Sequence, residues 1–66
     1  MTLSERIIKF RAVNGLTQAQ FAERAGVSKS TISHLEIAEN WYVSRVNRER
    51  IEYALNGGIV KKMKEE

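Results

Sequence analysis

The stretch QAQFAERAGVSKSTISHLE, Gln18 to Glu36, sets a single glycine between two short helical patterns. Its apolar spacing predicts one helix from Gln18 to about Ala25, burying Phe21, Ala22 and Ala25. A second helix follows from Lys29 to about Glu36, with Ile32 and Leu35 on its inward face. Gly26 lies at the junction, where a positive φ costs glycine nothing. Val27 plugs the corner and Ser28 offers the N-cap oxygen of the second helix. Helices joined by so short a turn cross at roughly 90 to 120°. A large side chain at their closest approach would force them apart, and Ala22 stands there.

The flanking sequence extends the same logic. Leu3, Ile7, Ile8 and Phe10 recur at helical spacing from Leu3 to Val13, with Thr2 or Ser4 as the cap. Asn14 and Gly15 end that helix, Leu16 returns to the core, and Thr17 caps the next. Arg45 to Leu55 predicts a fourth helix using Val46, Ile51, Ala54 and Leu55, stopped by Asn56-Gly57-Gly58. The segment between, IAENWYVS, reads as a loop carrying two aromatics. The final IVKKMKEE reads either as one amphipathic turn or as a frayed end.

Composition narrows the classes of function. A chain of 66 residues builds one small domain, and with no cysteine it has neither a disulfide framework nor a thiolate metal site. Eleven Lys and Arg against eight acids give +3, a charge that suits a polyanionic partner without demanding one. All the acids are glutamates. One histidine, no cysteine and no aspartate leave no way to assemble a nucleophile, a base and an orienting group, so the chain is not expected to be an enzyme. No cofactor, metal or small-molecule substrate is expected either. No apolar run approaches the roughly 20 residues of a membrane helix, and no apolar signal segment follows Met1, so a cytoplasmic protein is expected.

An α-helix fits the DNA major groove only when it stands proud of its domain at a fixed angle, and a braced helix pair provides that. The segment LTQAQFAERAGVSKSTISHLE resembles the phage repressor and Cro family, the Xre-type helix-turn-helix regulators. It carries Thr-Gln, then Ala, Gly-Val-Ser and Ile-Ser-x-Leu-Glu in that family's order. Looser similarity runs from Leu3 to Leu55. The resemblance implies an all-α, compact bundle of four to five helices, lambda-repressor-like. The DNA-binding domain would span 1–56, with the helix-turn-helix at about 18–36, and 57–66 would be a short basic tail.

Lys29, Ser30, Ser33 and His34 point away from Ile32 and Leu35, so they would face the groove. Their short polar side chains let the backbone approach the bases, and Lys29 can donate to guanine O6 or N7. By resemblance these four read sequence. Gln18 begins the bracing helix, where N–H groups and the helix dipole favour a phosphate. In the family this glutamine grips the DNA backbone. On this reading Ser28 and Thr31 are further phosphate or thymine-methyl contacts, and Asn40, Tyr42 and Arg45 close on phosphates of the neighbouring strand. The resemblance also implies a structural ion pair between Arg11 and Glu36. Departures from the pattern are a fourth helix poor in leucine, with Arg45, Arg48 and Arg50, and a chain short for five helices.

Blander readings stand beside these. The hydroxyl run can be a capped, solvated helix face, His34 an ordinary surface histidine, and Lys61, Lys62 and Lys64 a solvated tail. Trp41 and Tyr42 either cover the small core or form a dimer contact. The resulting expectation is a sequence-specific transcriptional regulator, Cro-like or a compact repressor. It would bind a palindromic double-stranded operator as a homodimer, in the bacterial cytoplasm or nucleoid or in a phage-infected cell. The alternative is an antitoxin or adaptor that keeps the fold and grips a protein partner.

Overall fold

Each helix among the described residues opens on a hydroxyl. The computed structural model describes residues 1–38 and 42–60. Among these lie four helices and no strand: α1 Leu3–Asn14, α2 Gln18–Ala25, α3 Lys29–Ile37 and α4 Arg45–Leu55. Thr2, Thr17, Ser28 and Ser44 are the N-caps, each accepting from the backbone N–H three residues on. Such caps stabilise a helix by about 1 kcal/mol each, because the first-turn N–H groups have no partner inside the helix. At Thr2 and Thr17 the exchange is reciprocal, with Glu5 and Gln20 accepting from the cap N–H at 2.9 Å.

Thr2 rather than Ser4 therefore starts α1. Ser4 is buried instead, and its hydroxyl donates to the Glu36 carbonyl oxygen at 3.3 Å. Both early helices end on a left-handed glycine, Gly15 at φ 65° and Gly26 at φ 71°. The amide after each reaches back to the last turn, Leu16 to the Arg11 carbonyl at 2.9 Å and Val27 to that of Ala22 at 3.1 Å.

The core comprises Ile7, Phe21, Ala22, Ala25, Ile32, Leu35, Ile51 and Ala54. Phe10 meets Phe21 edge to face with ring centroids 5.6 Å apart. α3 packs on α1 and α2, while α4 packs on α2 and α1. Two apolar residues counted on inward faces lie outside this core. Ile8 is half-exposed and Val46 more so, at 44% and 56%. The buried stripe of α1 runs through Ile7 and that of α4 through Ile51 and Ala54. At about 100° per residue, Ile8 and Val46 are turned well off those stripes. After α4, Gly57 to Val60 return along α2, and the Val60 N–H donates to the Arg24 carbonyl at 2.6 Å.

Candidate nucleic-acid interface

The crossing of α2 and α3 decides what α3 can present. Ala22 is 3% exposed at the contact, and Ile32 and Leu35 pull the underside of α3 into the core. That burial turns Lys29, Ser30 and His34 to solvent and leaves Ser33 half-buried beside them. These four positions share one face of α3, with Lys29 and Ser30 at the end that Ser28 caps and His34 in the last turn. The helix dipole makes the capped end favourable for anionic ligands.

Glu36 is the one carboxylate on α3, and it is turned inward. Its side chain is 9% exposed, against 24% for Arg11. Arg11 Nη1 donates to both carboxylate oxygens at 2.8 Å, and Gln18 Nε2 donates to Oε1 at 2.9 Å. Arg11 Nε also donates to the Leu16 carbonyl at 3.2 Å. The ends of α1, α2 and α3 are thus joined at a single carboxylate. Because that carboxylate is consumed internally, the outer face of α3 offers hydroxyls, a lysine and a histidine with no negative group to repel phosphate.

The other positions read from the sequence fall as follows. Gln18 lies at the start of α2 with its amide N–H directed to Glu36 rather than outward. Ser28 and Thr31 pair their hydroxyls at 2.9 Å. Tyr42 is 81% exposed. Arg45 opens α4 almost fully exposed, 3.5 Å from Glu49 one turn on, a contact worth little in water. Asn40 and Trp41 lie outside the described residues.

A model of the helix-turn-helix family matches residues 7–40, just over half of the chain. The chain belongs to the Xre/Cro-type helix-turn-helix family. No curated protein and no solved structure matches it significantly. As a member of this family the protein is a DNA-binding transcriptional regulator acting on double-stranded DNA, and the family is typically non-enzymatic. Among the described residues no helix is long and apolar enough to cross a membrane.

Three contacts of this helix-turn-helix domain were not read from the sequence. Gln18 to Glu36 couples the bracing helix to the end of the reading helix. Arg6 forks onto Glu52, with Nη2 to Oε1 at 2.9 Å and Nη1 to Oε2 at 3.1 Å, tying α1 to α4. Arg50 Nη1 donates to the Gly26 carbonyl at 3.0 Å. Arg6 and Glu52 stand 46 residues apart, so no local spacing signals them. Gln18 alone had a signal, since a polar residue at the start of a helix whose cap is already supplied is available for a tertiary partner.

Proposed function

We propose that this regulator is Cro-like, or a compact repressor, and binds a palindromic operator as a homodimer with one α3 in each of two major-groove half-sites. Lys29, Ser30, Ser33 and His34 read base edges, Lys29 by donating to guanine. Ser28, Thr31, Asn40, Tyr42 and Arg45 hold the phosphates, together with Gln18 through its backbone N–H at the start of α2. The observation that carries the reading is the outer face of α3, where lysine, hydroxyls and imidazole are displayed while Glu36 is drawn inward. On this reading residues 1–56 are the binding domain and 57–66 a basic tail. The protein acts where the operator is, in the bacterial cytoplasm or nucleoid, and performs no catalysis.

Selection of bound duplexes from a randomised pool tests this. The expected product is a two-fold consensus with half-site centres about 10 base pairs, or 34 Å, apart. A Lys29→Ala, Ser33→Ala variant should lose that consensus. Affinity should fall steeply with salt, by about 0.9 in log–log slope per phosphate contact. Enrichment of no duplex at low salt would reject the reading. The antitoxin or adaptor alternative has one supporting observation, the exposed Tyr42 beside α4. It predicts a stable protein complex with no duplex selected.

A further inference from the structure

The reading helix makes its main contacts with α1 and α2, whereas α4 reaches the helix-turn-helix through α2 and the turn. Two separate pieces of chain converge on that turn. From α4, Arg50 Nη1 donates to the Gly26 carbonyl at 3.0 Å. From the segment after α4, the Val60 N–H donates to the Arg24 carbonyl at 2.6 Å. Val60 also lies so close over the glycine that a β-carbon there would sit 2.9 Å from its Cγ1 and 3.9 Å from Arg50 Cδ. The approach is built from both ends. A side chain on Gly58 would run into the Tyr53 ring, and the Gly58 N–H donates to the Tyr53 carbonyl at 2.9 Å, which folds the chain back toward α2.

The last carbonyls of a helix have no partner within it. Arg24, in the last turn of α2, supplies one such acceptor, Gly26 in the turn that follows supplies another carbonyl, and each is satisfied by a donor distant in sequence. We propose that Arg50 and Val60 form a clasp on the turn and are positioning residues for DNA reading. They hold the angle at which α3 leaves α2, and so set the discrimination between operator and random DNA without touching a base. The inference rests on the DNA-reading function proposed above.

Arg50 is exposed, so replacing it should leave the core intact. In Arg50→Met the ratio of operator to random-duplex affinity should fall roughly fivefold, the factor of one hydrogen bond of ordinary net strength. Random-duplex affinity and the salt slope should stay as in the native protein. Arg50→Lys, which keeps a donor, should recover most of the ratio. A uniform loss over all sequences with a salt slope lower by about 1 would overturn the proposal, because Arg50 would then be a phosphate contact. An unchanged ratio with a lower Tm would also overturn it, leaving Arg50 a scaffold residue only.

Hydrogen exchange on the free protein separates failure of the clasp from failure of DNA binding. The Gly26 and Val27 amides, bonded to Glu23 and Ala22, should exchange several-fold faster in Arg50→Met and in Val60→Ala. Unchanged exchange in both variants would refute the clasp even where the native protein selects an operator. Faster exchange in a protein that selects no duplex would support the clasp while rejecting the operator.

Discussion

Glu36 shows how one residue can set the electrostatics of a whole face. It accepts hydrogen bonds from Arg11 and Gln18, and its backbone carbonyl accepts from Ser4. Removing the charge while keeping the shape isolates its role. Glu36→Gln should cost roughly 2 kcal/mol in urea unfolding, less than a fully buried pair would because Arg11 keeps contact with water. The glutamine amide would also face the Gln18 amide, where one donor must turn away. A change below a few tenths of a kcal/mol would mean that the pair fixes orientation without stabilising the fold. The glycine at the turn works differently, through backbone geometry. Gly26 combines a φ of 71° with Val60 lying against it, so any side chain there meets both strain and a clash.

At the scale of the element, short helices depend on their ends. α2 has only eight residues, too few to form alone in water, and its reciprocal Thr17 and Gln20 cap supplies what propagation cannot. Thr17→Ala should therefore lower stability by about 1 kcal/mol, read as a shift in the urea midpoint with the slope unchanged. Because α2 braces α3, the same variant should lose operator affinity in proportion to the unfolded fraction and no further. Helix starts and stops were legible in the sequence for the same physical reason. A cap needs a hydroxyl at one position and a left-handed C-terminus favours glycine, so α2 begins and ends where Thr17 and Gly26 imply. The inward faces of α1 and α4 were less legible. Ile8 and Val46 are as apolar as the core residues near them, and only packing shows that Ile7 and Ile51 hold the buried stripe.

For the whole molecule, size governs. A domain of 66 residues has a stability of only about 3 to 5 kcal/mol to lose. Phe21 is wholly buried at the centre, against Phe10. Phe21→Ala, costing about 3 to 5 kcal/mol, should leave the chain largely unfolded at 25 °C, seen as loss of the helical circular dichroism signal. A variant that stayed folded would show that the cavity collapses or that association supplies the missing stability.

The sequence by itself determined what depends on near neighbours. These were the order of four helices, the glycine turns, the caps of α2 and α3, and which face of α3 holds Lys29, Ser30 and His34, all written in spacings of three to five residues. Apart from Arg11 and Glu36, which the family resemblance paired, only the tertiary structure decided which distant polar groups meet. Gln18 finds Glu36 across 18 residues, Arg50 finds Gly26 across 24, and Arg6 finds Glu52 across 46. A long polar side chain is compatible with many partners, and its choice follows only once the apolar faces have fixed where each helix lies.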